Sequence, residues 1–436
     1  MSDLLIETLS GYLSYWWVVV PVIAYILGKD WWLAHITDEH IDAIEWIMWE
    51  ISIPKDNLKS IKAMEQVITS LHGIYSFGIL KKDKWLKGVI EPWISLEMVG
   101  MAKGVHFYVR APKKFKNLVE ASFFAQFPDA ELLQVEDYTS LIKTKTFANY
   151  DIFGTDFVLA EKDYLPIKTY EYFEDMKEEK TFDPLATLTE VMAGLKEDEM
   201  IWIQILLRAT GDDWRKGAEI AIKEIMGEKV QKPKSSLDIV KEELLHLVKN
   251  VPRGVIPAPF EAPKMSGLAS EEKKDPKSNS SPRTPGDTDK MKAISNKMSK
   301  KAFNTLIRFI YIDDKDNFSG ENTTAVMGAL RQFGDANLNS LRPNMNTMTL
   351  KPRRSFNKKK VLAKKKRNLM IAYIERAMPR YVKNPEIDLN LKTSILGADE
   401  VATIFHPPTD YVKSEKVKAI QSRKGNPPTN LPTFES

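Results

Sequence analysis

The sequence motifs that mark the common catalytic sites are absent from this chain. The sequence has no cysteine, which excludes disulfides, thiolate metal sites and cysteine nucleophiles. It has no glycine-rich phosphate loop ending in Gly-Lys-Ser or Gly-Lys-Thr, and the patterns G-x-G-x-x-G, G-x-S-x-G and H-E-x-x-H do not occur. We therefore predict no catalytic residue, no cofactor site and no nucleotide hydrolysis. The chain is predicted not to be an enzyme.

Two stretches match metal-site patterns only in part. His35 and His40 are five residues apart, a spacing that does not place two side chains on one face of a helix. The stretch that begins at Asp314 has the acids of a calcium loop, but Phe318 stands at a ligand position and Ser319 stands where glycine is required. We predict no metal site in either stretch.

The strongest charge feature is the basic run KPRRSFNKKKVLAKKKR, in which ten of 17 residues are basic and none is acidic. The net charge of the whole chain is only +4, so a binding role depends on this cluster rather than on the total charge. The candidate phosphate- or lipid-binding residues are Lys351, Arg353, Arg354, Lys358, Lys359, Lys360, Lys364, Lys365, Lys366 and Arg367.

Three interpretations of the basic run stay open. The first is a solvated loop and helix face. The second is contact with anionic lipid headgroups, where each Lys or Arg near a membrane contributes about 1 kcal/mol. The third is contact with nucleic-acid phosphate, which would be non-specific because only Phe356 and Tyr373 are available nearby for base stacking.

The elements that position these residues begin with an apolar segment, Thr8 to Gly28, which has no charged residue. A helix of this length spans about 30 Å, the thickness of a bilayer core. We predict a single uncleaved transmembrane helix over residues 1–30. The alternatives are a cleaved signal peptide and a buried core helix. The predicted membrane-anchor residues are Leu9, Trp16, Trp17, Val20, Ile23 and Leu27.

The distribution of lysines predicts how such a helix is oriented. No Lys or Arg precedes the apolar segment, and the first lysine after it is Lys29. The positive-inside rule then places the N-terminus outside and the bulk of the chain in the cytoplasm. We predict a single-pass protein of the cell membrane.

Beyond the apolar segment, helix-like and strand-like patterns alternate. The order helix, strand, strand, helix, strand occurs once, and a looser version of it recurs. We predict an α+β fold with two split βαβ (ferredoxin-like) sandwiches, helices on one face of a mixed sheet, and a long disordered insertion rich in proline. The predicted segments are a transmembrane anchor 1–30, a first sandwich 31–150, a second sandwich 151–253 completed by 299–350, a disordered loop 254–298, a basic helix 351–380, and a C-terminal strand with a proline-rich tail 381–436.

Several short stretches, taken in order, resemble a known family. They include ISLEMVGMAKGVHFYVRAP, DPLATLTEVMAGLKEDEMIWIQILLR and ADEVATIFHPP. Their order is similar to the N-terminal, membrane-anchored region of the ATPases of type IV secretion and conjugative DNA transfer. In such relatives the last segment leads into a RecA-like motor domain. The resemblance implies partner-docking candidates at Glu400, Thr403, His406 and Pro407.

The chain departs from that family because it has no P-loop, so ATP hydrolysis is not carried over. The motor is expected on a separate polypeptide or in a longer chain of which this is a portion. The resemblance then implies a non-catalytic membrane-anchored adaptor of a type IV secretion-like machine, which docks a P-loop motor ATPase. The alternative is a stand-alone membrane-tethered scaffold that binds anionic lipid or nucleic acid through the basic run. A homo-oligomer stays open.

Overall fold

The fold was analysed in a computed structural model. The structure describes residues 16–54, 60–143, 150–175, 180–181, 183–228, 284–352, 357–379 and 390–407.

One large sheet dominates the described part of the chain. The strands are β1 Trp46–Ser52, β2 Ile94–Met101, β3 Gly104–Pro112, β4 Glu131–Val135, β5 Tyr150–Leu159, β6 Glu174–Asp175, β7 Lys180–Thr181, β8 Met200–Ala209, β9 Ala302–Asp314, β10 Leu341–Pro343 and β11 Ser394–Gly397. Among the described residues, nine of these strands form one sheet in the order β10-β5-β9-β8-β2-β3-β1-β4, and β11 also pairs with β9. β6 and β7 form a separate hairpin.

The described helices lie on both faces of the sheet. They are α1 Trp16–Asp42, α2 Ile61–Leu71, α3 Lys81–Lys87, α4 Lys116–Gln126, α5 Ser140–Lys143, α6 Ala186–Ala193, α7 Arg215–Ile225, α8 Pro285–Ser299, α9 Gly320–Arg331, α10 Lys358–Ile374 and α11 Ala398–Ile404. Helices α2, α4, α6, α9 and α11 pack on the first face in one hydrophobic core. Helix α10 packs on the centre of the second face.

The strand β8 shows why both faces are covered. Its sequence MIWIQILLRA has apolar side chains on both sides of the pleat, and nearly all of them are buried. Ile203 and Ile205 point into the first-face core, whereas Trp202 points into the core under α10. A strand that is apolar on both sides is stable only when both of its faces are covered.

The two halves of the sheet have the same strand order. β4-β1-β3-β2 forms one half and β10-β5-β9-β8 the other, and each half has the β-α-β-β-α-β connectivity. The halves are joined because β2 pairs with β8 from Ile94↔Leu207 to Met101↔Met200. The prediction of a mixed sheet with helices on one face is therefore wrong, because the two units share one sheet that has helices on both faces. The sheet is continuous and its described pairs are all antiparallel.

The predicted transmembrane helix is also wrong. Within the described residues, no helix is both long enough and apolar enough to cross a membrane. Helix α1 has its first charged residue, Lys29, halfway along its length, and it continues through acidic residues to Asp42. A bilayer core needs about 20 consecutive apolar residues. Four predicted anchor residues, Trp17, Val20, Ile23 and Leu27, have exposed side chains, Trp16 begins the helix, and Leu9 lies outside the described residues.

The last part of the segment predicted as a disordered loop is helix α8. Thr284 caps this helix, because its hydroxyl accepts a hydrogen bond from the amide of Asp287 while the Asp287 carboxylate reaches back to the Thr284 amide. Ala293 and Ile294 are buried along the helix. The cap stabilises the start of the helix, and the two apolar residues stabilise it through tertiary packing. Neither contribution is evident from the proline-rich composition of the segment. Residues 254–283 lie outside the described residues.

Candidate functional site

The basic run divides into an exposed part and a part that belongs to the fold. Lys358, Lys359, Lys360 and Lys364 have exposed side chains on the first two turns of α10, and none of them forms an ion pair with a described residue. We call these four residues the lysine surface. Consecutive residues of a helix point about 100° apart, so these lysines surround the first two turns of α10 with positive charge instead of forming one face.

Two further lysines of the run contact the fold. Lys366 forms an ion pair with Asp151 of β5, and its ammonium lies 6.0 Å from the ring centroid of Phe318. Lys365 Nζ donates to the carbonyl oxygen of Met348 at 3.4 Å. These contacts fix the middle of α10 to the start of β5 and to the segment after β10. Lys351 and Arg367 are exposed, and Arg353 and Arg354 lie outside the described residues.

The second half of α10 is part of the core. Leu369, Met370 and Tyr373 are fully buried against the second face of the sheet. Tyr373 was considered for base stacking, but its ring packs against Trp202 and its hydroxyl contacts that of Tyr138 at 2.6 Å. It is therefore not accessible to a base.

Arg376, just beyond α10, holds the helix to the sheet through two carboxylates. Its Nε and Nη2 donate to the two oxygens of Glu97 at 3.0 and 3.1 Å, and its Nη1 and Nη2 donate to Asp137 at 2.5 and 3.0 Å. Arg376 and Glu97 are fully buried. Burial works to raise the pKa of Glu97, but the guanidinium of Arg376 outweighs it and holds this pKa below its ordinary value.

Glu97 belongs to a row of polar residues that crosses the sheet. The strand register aligns Glu97 with Gln204, Gln204 with Arg308, and Arg308 with Asp156. Arg308 Nε donates to Asp156 at 2.8 Å, and Arg308 Nη1 donates to the carbonyl oxygen of Ala372 at 2.6 Å. The row therefore pairs Arg308 with Asp156 and also binds the backbone of α10, although Asp156 Oδ2 accepts no hydrogen bond from a described residue. These contacts serve the fold.

This row of buried polar residues was not predicted, although the sequence contains a signal for it. Glu97 interrupts the apolar strand ISLEMVGM, and Gln204 interrupts MIWIQILLRA. A polar residue in the middle of an apolar strand predicts a buried hydrogen-bonding partner. The partner residues Arg308 and Arg376 come from distant parts of the chain, so the sequence gives no indication of the pairing itself.

The four partner-docking candidates are buried and bonded within the chain. Glu400 accepts hydrogen bonds from the amides of Ile167 at 2.8 Å and Gly397 at 2.7 Å. Thr403 Oγ1 accepts from the amide of Tyr170 at 2.9 Å. These contacts anchor the loop before the β6–β7 hairpin to α11.

His406 and Pro407 complete this buried group. His406 Nδ1 lies 2.9 Å from the carbonyl oxygen of Ala402, and Nε2 lies 3.1 Å from Asp183 Oδ1. His406 is 1% exposed, and Pro407 is also buried. A partner could reach these side chains only if their present contacts opened. Docking through them stays a prediction.

The described residues hold no group of three or more His, Cys, Asp or Glu residues arranged to bind a metal ion. At the candidate calcium stretch, Ser319 caps helix α9 by accepting a hydrogen bond from the amide of Glu321 at 3.2 Å. The candidate site thus consists of two parts: the accessible lysine surface of α10 and the buried charge pairs beneath this helix.

A search of curated proteins found none that matches the chain. A match to a described family covers residues 39–419, which is most of the chain and includes both halves of the sheet, the lysine surface and α11. By this match the chain belongs to the family described as "Domain of unknown function (DUF8128)".

Proposed function

We propose that this protein is a non-catalytic scaffold that binds the phosphate backbone of nucleic acid through the lysine surface of α10. The observation that carries the proposal is the division of the basic run. Lys365 and Lys366 contact the fold, whereas Lys358, Lys359, Lys360 and Lys364 are exposed and have no described acidic partner. Such a cluster on a rigid helix is suited to phosphate, which is recognised by charge and does not require base contacts.

The position of the lysines within α10 supports a binding role over a solvated face. Lys358, Lys359 and Lys360 are the first three residues of the helix, and its first turn contains no acid. Positive charge at a helix N-terminus is unfavourable by about 0.3–1 kcal/mol per residue, because the helix dipole is positive at that end. An anionic ligand would remove this repulsion and would also meet the free backbone amides of the first turn.

The location of the lysine surface favours nucleic acid over lipid. Lys366 pairs with Asp151 at the end of the sheet where β5 begins and β9 ends. Helix α1 contacts the other end, where Ile41 packs against a buried cluster that includes Leu306 in the first half of β9. Leu306 and Asp313 are about 20 Å apart along the strand. A bilayer that met the exposed apolar residues of α1 would approach the end of the sheet away from the lysines.

The structure offers less support for docking of a motor ATPase. The side chains assigned to that contact have partners within the chain, so the exposed lysines are the better supported binding surface. The type IV secretion-like adaptor role stays a prediction from the resemblance.

The proposal is tested with a variant that replaces Lys358, Lys359, Lys360 and Lys364 by glutamine. Binding to fluorescent duplex DNA of two unrelated sequences is measured over a series of salt concentrations. The wild type should bind both sequences equally. The variant should bind more weakly, and the slope of log affinity against log salt should become shallower by about 0.9 for each phosphate that the variant no longer neutralises.

The matched control replaces Lys81, Lys82, Lys84 and Lys87 by glutamine. These four exposed lysines of α3 carry the same charge, and their helix contacts α1 at the opposite end of the sheet. This variant should bind DNA as the wild type does. Equal losses in the two variants, or none in the first, would contradict the proposal. Binding of anionic vesicles through the lysine surface, without binding of DNA, would establish the lipid alternative instead.

A further inference from the structure

A turn before helix α3 presents an aromatic side chain to solvent. Phe77 is 91% exposed, and its backbone φ of +55° lies in the left-handed region that bulky residues rarely adopt. Gly78 follows with a φ of +107°, which glycine tolerates because it has no Cβ. The turn therefore holds Phe77 outward at a conformational cost, and burial of its ring within the described chain does not offset that cost.

The base of this turn is fixed to the fold. The ring of Phe77 meets that of Tyr75 edge to face, with 5.4 Å between their centroids, and Tyr75 packs against the first-face core. The Ser76 amide donates to Glu91 Oε2 at 3.3 Å, and the Ser76 hydroxyl donates to the other oxygen of this carboxylate. Phe77 is therefore presented to solvent by a turn with defined contacts.

Exposed apolar residues and lysines continue from this turn into α3. Leu80, directly before the helix, is 71% exposed, and Leu86 within it is also exposed. The exposed lysines of the helix are Lys81, Lys82, Lys84 and Lys87. Asp83 is the one acid of α3, and it forms an ion pair with Lys87 at 3.0 Å. The other three lysines form no ion pair with a described residue, so residues 77–87 combine exposed apolar area with unpaired positive charge.

Helix α1 extends this surface. Trp32 Nε1 donates to the carbonyl oxygen of Trp85 at 3.0 Å, and the ammonium of Lys29 lies 5.6 Å from the centroid of the Trp85 ring. Gly88 ends α3 with a φ of +61°, and a Cβ at this position would lie 2.1 Å from the carbonyl oxygen of Ile36. The two helices are thus held together, and tryptophan and lysine side chains lie next to each other where they meet.

We propose that residues 77–87 and the adjoining part of α1 bind the surface of a bilayer that contains anionic lipid. Phe77 and Leu80 enter the boundary between headgroups and acyl chains, Trp32 lies at the level of the headgroups, and the lysines of α3 contact anionic headgroups. This is a contact with the surface, because a turn and a short helix cannot cross a bilayer core.

The combination of exposed apolar side chains with lysines favours lipid as the ligand. A bilayer removes the apolar area of Phe77 and Leu80 from water and also neutralises the lysines, whereas nucleic-acid phosphate does only the second. The surface lies on α3 and α1, at the end of the sheet opposite the lysine surface of α10. The proposal therefore does not depend on nucleic-acid binding through α10.

The test measures cosedimentation of the full chain with vesicles of phosphatidylcholine alone and of phosphatidylcholine mixed with phosphatidylserine. We expect tighter binding to the mixed vesicles because the lysines attract the anionic headgroups. The preference for the mixed vesicles should become smaller as ionic strength rises, since salt screens this attraction.

Two variants separate the apolar contribution from the charge. Phe77→Asn removes the ring and keeps the turn, because asparagine adopts the left-handed conformation more readily than phenylalanine. Its affinity for mixed vesicles should fall by about tenfold, while its urea midpoint should not fall. The second variant changes Lys81, Lys82, Lys84 and Lys87 to glutamine. It should lose at least about tenfold in affinity for mixed vesicles and should keep its DNA binding.

The controls change similar residues elsewhere. Met345→Gln removes an exposed apolar side chain from the segment after β10 and should bind vesicles as the wild type does. The glutamine variant of the lysine surface on α10 should also keep its vesicle binding. A failure of this proposal can thus be distinguished from a failure of the nucleic-acid proposal.

Four results would overturn the proposal. They are no binding of the wild type to mixed vesicles, binding that survives both variants of residues 77–87, and an equal loss of binding in Met345→Gln and Phe77→Asn. The fourth is self-association of the wild type without lipid that Phe77→Asn abolishes in analytical ultracentrifugation, because a second copy of the chain would then cover this surface.

Discussion

Helix α10 carries positive charge at both ends, but the two ends differ in how that charge is used. Lys358, Lys359 and Lys360 at its start are exposed and have no described acidic partner, whereas Arg376 beyond its end is fully buried between Glu97 and Asp137. A buried cation must be paired, because the interior does not solvate it. An exposed cation is solvated by water and needs no acidic partner. Unpaired charge therefore remains available for a ligand.

The acidic residues show the same contrast. Glu97 and Asp399 are both buried carboxylates, yet their pKa values shift in opposite directions. Arg376 donates two hydrogen bonds to Glu97 and stabilises its charged form. Asp399 has two acids close by, and one of its oxygens has no described donor. Glu97 therefore stabilises the fold in its charged form, whereas its surroundings disfavour the charged form of Asp399.

The largest expected effect on stability comes from removing Arg376, the buried partner of Glu97 and Asp137. Arg376→Met removes the guanidinium and leaves the buried Glu97 and the partly buried Asp137 without their cationic partner. We expect the free energy of unfolding to fall by about 3–5 kcal/mol, which is typical when one partner of a buried ion pair is removed. Urea unfolding followed by circular dichroism measures it.

A double-mutant cycle sharpens this result. Glu97→Gln combined with Arg376→Met removes the charge of both groups, so the double variant should be more stable than the sum of the two single effects predicts. A coupling energy near zero would show that the two side chains do not stabilise each other. In that case Arg376 would stabilise the fold through Asp137 or through packing.

The second-largest expected effect is the pH dependence of stability that arises from Asp399. Its pKa of about 7 in the folded protein lies above its ordinary value, so the folded state binds more protons than the unfolded state between about pH 4 and pH 7. Its contribution to stability is present below this window and is lost as pH rises through it, with a slope of up to about 1.4 kcal/mol per pH unit.

Asp399→Asn removes this titration. The variant should gain stability relative to the wild type as pH rises, and the difference should reach a plateau above about pH 7. Chemical unfolding at a series of pH values measures the difference. If the wild type and the variant show parallel pH profiles, Asp399 does not titrate in this range and the contrast with Glu97 is lost.

The sequence predicts the elements of this fold better than their assembly. The apolar strands β2, β3 and β8 and the helix pattern of α2 are local signals, and each gives an element in the structure. The pairing of β2 with β8, which joins the two halves, is a long-range contact with no local signature. Two units that look separate in the sequence therefore share one sheet.

The predictions for the two ends of the chain depended on local composition, which does not report tertiary contacts. The apolar composition before Lys29 suggests a membrane span, but composition does not show that α1 continues through charged residues to Asp42. In and just after α11, Glu400 and His406 are polar residues near the end of the sequence, where a contact with a partner was expected. Their hydrogen bonds to Ile167 and Asp183 come from more than two hundred residues away. Only the folded chain brings these groups together.

The smallest expected effect tests the exposed end of α10 directly. Lys359→Glu places an acid in the first turn of the helix, where the helix dipole favours negative charge, and should raise the free energy of unfolding by about 0.3–1 kcal/mol. The same change should weaken DNA binding. Lys366→Gln is the matched comparison in the same helix, because it breaks the ion pair with Asp151 and should lower stability by about 0.5 kcal/mol. Opposite signs of the two stability changes, measured by urea unfolding, are expected if Lys359 is retained for binding. A loss of stability in Lys359→Glu would mean that this lysine has a structural partner and that the contrast between the two ends of the helix is wrong.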